Sequence, residues 1–165
     1  MSRRSAIILI AVVLVGLVAL AVAGYLALRS AADSFLLGMT QTLDEAEVAA
    51  FIGAPFPESA TGVATAGESA LDTIVVARFE APLPDVLAYL DGLGLTGPLQ
   101  PGYSPFFSSE SLIKGTEAWW SPPAVGDATG NFSGLYQQSG PKYYNIVVVD
   151  SGGGRATVYM QVFNT

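Results

Sequence analysis

Cysteine and histidine are both missing from the 165 residues of this chain. Without cysteine there is no disulfide, no thiolate nucleophile, no thiolate metal site and no lipid-attachment residue. Without histidine the commonest general base, the usual transition-metal ligand and the usual triad partner are lost together. Ser-His-Asp hydrolysis and zinc catalysis through imidazole are thereby excluded. An enzyme would have to work with Asp, Glu, Lys, Ser or Tyr alone. Basic residues are also scarce: beyond residue 29 only Arg78, Lys114, Lys142 and Arg155 stand against 14 acids, a net of −10. A domain this acidic does not bind nucleic acid by neutralising phosphates, and anionic lipid headgroups repel it.

The most prominent feature present is the run from Ala6 to Leu28, which carries no charged residue. At 1.5 Å per residue a helix of this length crosses about 30 Å of hydrocarbon. Arg3 and Arg4 lie on one side of it and all 14 acids on the other. That asymmetry predicts a cytoplasmic N-terminus and an extracytoplasmic remainder. Ala21-Val22-Ala23 matches a signal-peptide cleavage site, but the apolar core outruns the usual h-region and continues through Leu28, which favours a retained anchor. The expected organisation is a cytoplasmic tip at residues 1–4, a transmembrane helix at 5–28 in contact with the bilayer, a stalk and short helix at 29–54, and an extracytoplasmic domain at 55–165.

About 135 residues follow the anchor, enough for one core and too few for two comfortable domains. Thr42-Leu43-Asp44-Glu45 reads as a capping box that starts a short helix, stopped by Gly53 ahead of Pro55. Pro82 to Asp85 opens a second helix, with Val86, Leu87, Leu90 and Leu93 at helical spacing. Strands are expected at 61–66, 73–80, 134–138, 143–150 and 156–163. In the second of these Val75, Ala77 and Phe79 share one face, opposite Ile74, Val76, Arg78 and Glu80. Ser139-Gly140-Pro141 and Ser151-Gly152-Gly153-Gly154 read as hairpin turns. The Gly run lacks the lysine of a phosphate loop and precedes a strand, not a helix. The predicted fold class is α+β: an N-terminal single transmembrane helix, then a small antiparallel sheet of about 4–5 strands with one or two short helices.

Residues 95–134 form a turn-rich stretch that holds Tyr103, Phe106, Phe107, Trp119, Trp120 and Phe132 among prolines and glycines. A loop this long is uncommon in a compact domain and usually functional. Trp119-Trp120 beside Pro122-Pro123 either builds a contact platform or closes the core under the loop. Arg78 either binds a carboxylate ligand or pairs with Glu80 on its own face. The acids Asp44, Glu45 and Glu47 suit a helix N-terminus, and no calcium-loop pattern accompanies them. No carboxylate pair stands out for glycoside chemistry.

Pro57-x-Ser59-Ala60, Asp72 ahead of Arg78-Phe79, Leu93-Gly94-Leu95, Trp119-Trp120-x-Pro122 and Val158-Tyr159 together resemble a loose group of small bacterial extracytoplasmic proteins, many lipoprotein-like. The resemblance covers residues 55–165, the lipoprotein cysteine is lacking here, and no activity is implied. The expected function is therefore a non-enzymatic interaction or accessory module, without cofactor or metal, that binds another membrane or envelope protein. The expected contact face is Phe106, Phe107, Trp119 and Trp120, with Arg78, Tyr159 and Phe163 second. A membrane-tethered small-ligand or carbohydrate binding domain is the alternative.

Overall fold

The computed structural model describes residues 16, 18, 21–26, 41–127 and 131–164. The chain divides after Thr40 into two units, and the second, Gln41–Thr165, holds the sheet. In the first unit residues 16, 18 and 21–26 are helical. The transmembrane helix expected over 5–28 falls mostly outside the described residues. No helix among the described residues is long and apolar enough to cross a membrane.

The second unit is built on one antiparallel sheet. Its strands are β1 (Gln41–Leu43), β2 (Thr61–Ser69), β3 (Thr73–Pro82), β4 (Gln100–Pro101), β5 (Phe132–Ser139), β6 (Lys142–Gly152) and β7 (Arg155–Asn164). They lie in the order β1-β2-β3-β7-β6-β5-β4. Among the described residues of this unit two short helices accompany them, α1 (Glu45–Ile52) and α2 (Leu83–Gly92). This mostly-β, seven-stranded architecture corrects the expected α+β domain of four or five strands. The two extra strands are edge pieces of three and two residues, too short to show the two-residue periodicity by which a strand is read. Strand β1 also moves the domain's start into what was expected as stalk, so β1 and α1 belong to the sheet unit.

The long strands follow from β-branched and aromatic runs broken by forced turns. Gly153 and Gly154 both have positive φ, as the two-residue turn between β6 and β7 requires. The helix α1 starts one cap later than its sequence suggests. Asp44 Oδ1 accepts the Glu47 amide at 2.9 Å, and Glu47 Oε2 accepts the Asp44 amide at 2.9 Å. Thr42 is unavailable as a cap because it is paired opposite Glu68 in β1. At the other end of α1, carbonyls with no helical partner are met from outside the helix. Lys142 Nζ donates to Phe51 O, Tyr144 OH to Ile52 O at 2.8 Å, and Tyr89 OH to Ala54 O at 3.5 Å.

Strand alternation splits the core in two. On one face Val75, Ala77, Phe79, Val158, Met160, Val162, Tyr144 and Ile146 pack under Val48 and Ile52 of α1 and Val86, Tyr89 and Leu90 of α2. Phe79 is fully buried, with Phe56 and Tyr89 rings at 5.5 and 5.7 Å. On the opposite face Val76 and Val147 pack under Phe106, Ile113, Trp120 and Phe132. The second cover is not a helix but the turn-rich segment before β5.

Candidate functional site

That covering segment is held by its own hydroxyls. Ser104 Oγ accepts the Phe106 amide at 3.1 Å and donates to Pro123 O. Ser108 and Ser111 each accept the amide two residues on, at 3.0 Å. The buried Thr116 donates to Ile113 O at 2.8 Å, and its carbonyl accepts the Trp119 and Trp120 amides. Short side chains that bond the nearby backbone fix successive turns without a helix or strand ladder. The segment also crosses the sheet closely at Gly134, where a Cβ would stand 2.2 Å from Tyr103 O. Only glycine permits that approach.

The structure therefore divides the residues proposed for contact. Phe106 and Trp120 are buried, with ring centroids 5.4 Å apart in edge-to-face geometry. They close the core and offer no surface. Trp119 is half-buried, 6.0 Å from Trp120. Phe107 is 93% exposed and isolated from this cluster. Tyr159 joins the cluster from β7, its ring 5.7 Å from Trp120. Arg78, directly opposite Tyr159 in the sheet, pairs with the Glu80 carboxylate. Burial works against the Arg78 charge, but hydrogen bonds to Tyr159 and Glu80 outweigh it and raise the guanidinium pKa. Trp119, Trp120, Phe106, Arg78 and Tyr159 are thus brought together, with the arginine already committed to a carboxylate of its own chain.

Phe163 lies elsewhere, and in company that sequence reasoning missed. The loop covers only part of its face. Toward the end where Gln41 enters the sheet, the face carries Tyr136, Tyr143, Phe163 and Ile74 on four successive strands, β5, β6, β7 and β3. The Tyr136 and Tyr143 rings stack at 6.3 Å and 15°, and the Tyr143 and Phe163 rings at 5.2 Å and 15°. Tyr136 is 52% exposed, Tyr143 and Phe163 half-buried. At a strand spacing of about 4.8 Å the row runs roughly 14 Å across the sheet. Next to it Asn145 Nδ2 donates to Gln161 Oε1 at 2.9 Å, so the polar neighbours satisfy one another. The signal was present in the alternation of Tyr143 against Tyr136 across the Gly140-Pro141 turn, which sets their register.

A second opening lies at the other end of the strands on the helix-covered face. A cleft of ≈ 580 Å³ runs between α2, the 99–102 segment and the β6–β7 turn. Leu83, Leu87 and Leu99 line it, over Val148 and Ala156. No family model, no curated protein and no solved structure matches this chain.

Proposed function

We propose that this chain is a membrane-attached extracytoplasmic interaction module, an accessory subunit that docks another membrane or envelope protein. The observation that carries it is the row Tyr136–Tyr143–Phe163, three stacked rings of which Tyr136 is 52% exposed and the other two half-buried. Large rigid rings lose little entropy on contact, and such residues dominate the energetics of protein interfaces. The β5 edge of the sheet does not compete for this role. The exposed edge of β5 is bridged by Gln137, which accepts the Gly97 amide at 3.0 Å and donates to Gly94 O at 3.1 Å.

Attachment to the membrane rests on the apolar run of residues 6–28, with arginines before it and the acids beyond it. The domain's net negative charge argues against lying on anionic lipid, which leaves its surface to proteins. The reading is non-enzymatic, because without cysteine and histidine the thiolate nucleophile and the commonest general base are missing.

The test is a photo-crosslinking residue placed at Tyr136 in the full chain, irradiated in native membranes. A discrete adduct at residue 136, lost when Phe163→Ser is added, is the expected result. An adduct only from residue 107 would move the contact face to the loop, and none from either position would remove the docking reading. The second reading, a membrane-tethered small-ligand binding domain, rests on the cleft beside Leu83 and Leu87.

A further inference from the structure

We infer that the cleft between α2 and the β6–β7 turn is a binding site for a small amine with an apolar body. Its volume, ≈ 580 Å³, falls within the range of small-molecule sites, about 300–1,000 Å³. The walls are apolar where a soluble helix would ordinarily be polar. Leu83 and Leu87 face outward on α2, 39% and 47% exposed, while the core side of the same helix is supplied by Val86, Tyr89 and Leu90. Leu87 sits at helical spacing with the core residues, yet it reaches the cleft and not the core. Covering those two side chains is worth about 25 cal/mol for each Å² removed from water.

The polar end is equally specific. Among the residues that line the cleft, only Asp150 and Arg155 carry charge. The Arg155 guanidinium is engaged with Thr61 Oγ1 at 2.9 Å and Glu80 O at 3.3 Å, toward β2 and β3. It alternates with Ala156, which packs on the helix side. Asp150 Oδ1 accepts the Gly152 amide at 2.8 Å, and no described residue bonds Oδ2. Asp150 is exposed at the rim of the cleft, so water meets this oxygen when no ligand is bound; a carboxylate only accepts, and an ammonium group replaces that water with a donor of opposite charge. The surrounding domain, with its excess of acids, favours a cation and disfavours a carboxylate ligand. Gly152, Gly153 and Gly154 have open space where a Cβ would stand, so the turn borders the mouth without roofing it.

This site is independent of the stacked-ring row, which lies on the other face and at the other end of the strands. Its test uses the full chain in lipid nanodiscs and amide NMR, with three probes of one shape: phenethylammonium, 2-phenylethanol and 3-phenylpropanoate. Phenethylammonium should bind tightest and shift the amides of Gly152 to Gly154. Asp150→Asn keeps an Oδ1 acceptor for the turn. It should weaken the ammonium about three- to fivefold, the range of an exposed ion pair, and leave the alcohol unchanged. Leu87→Ser should weaken all three. The assignment is overturned if the ammonium binds no better than the alcohol, if Asp150→Asn changes nothing, if the shifts fall on Tyr136, Tyr143 and Phe163 instead, or if none of the probes binds.

Discussion

Phe79 on one side of the sheet and Trp120 on the other occupy equivalent roles. Each is a buried aromatic ring packed against others: Phe79 against Phe56 and Tyr89, Trp120 against Phe106, Trp119 and Tyr159. Their covers differ. The helix side is covered by two short helices over a floor of Val, Ile and Met, most of it fully buried. The loop side is sealed by a segment whose order comes from Ser104, Ser108, Ser111 and Thr116 bonding its own backbone. A helix satisfies its backbone internally and covers sheet by the length of its stripe. A loop must spend side chains on its backbone first, and this one covers only the part of the sheet that Ile113 and the rings reach. Among the described residues it stops short of the Tyr136–Tyr143–Phe163 row.

The sharpest way to break this comparison is Phe79→Ala. Loss of a wholly buried ring in a close-packed layer should cost ~4 kcal/mol and lower the thermal midpoint of the whole domain. Trp120→Ala should cost somewhat less, ~3 kcal/mol, and show differently. Hydrogen exchange should accelerate first at the Phe106, Trp119 and Val125 amides, while β3 and β7 stay protected. Equal exchange across loop and sheet in that variant would make the loop as integral as the helices.

Gly134→Ala sharpens the point by lifting the loop without removing any apolar surface. A methyl 2.2 Å from Tyr103 O cannot be accommodated in place, and overpacking of this kind costs ~1–3 kcal/mol. Chemical denaturation should report that loss, with the change in exchange again confined to the loop. The smallest effect belongs to the helix side. Burial raises the pKa of both Tyr89 and Tyr144, above an ordinary value of 10.0. A group whose folded pKa is raised contributes stability that is complete below the unfolded value and declines above it. These two tyrosines should therefore leave stability unchanged up to about pH 10 and reduce it at higher pH. Tyr144→Phe should flatten that decline and cost ~1–2 kcal/mol at neutral pH, because Ile52 O loses its donor. Absorbance of tyrosinate against pH, with a parallel stability series, measures both.

Much of the β-sheet was legible from residues alone. The alternation in 73–80 and 156–163 assigns Val75, Ala77, Phe79, Val158, Met160 and Val162 to one face, and they form the helix-side core. Glycines at positive φ mark the two hairpins between β5, β6 and β7. The edge strands were not legible, because two or three residues hold no period. The α1 cap was misplaced by two residues because Thr42 and Asp44 are both competent caps, and only the pairing of β1 with β2 removes Thr42 from the choice.

Composition and residue order by themselves determined the excluded chemistry, the acidity of the domain and the apolar N-terminal run, since none of these depends on how the chain folds. Periodicity determined which side of each long strand is apolar, because side chains alternate wherever the backbone is extended. The tertiary structure alone decided the rest. It buried Phe106 and Trp120, left Tyr136 exposed with Tyr143 and Phe163 half-buried, and turned Leu83 and Leu87 toward a cleft. All of these are apolar residues of comparable character in the sequence. What separates them is how far each covering segment extends over a seven-stranded sheet, and that depends on contacts between residues distant along the chain.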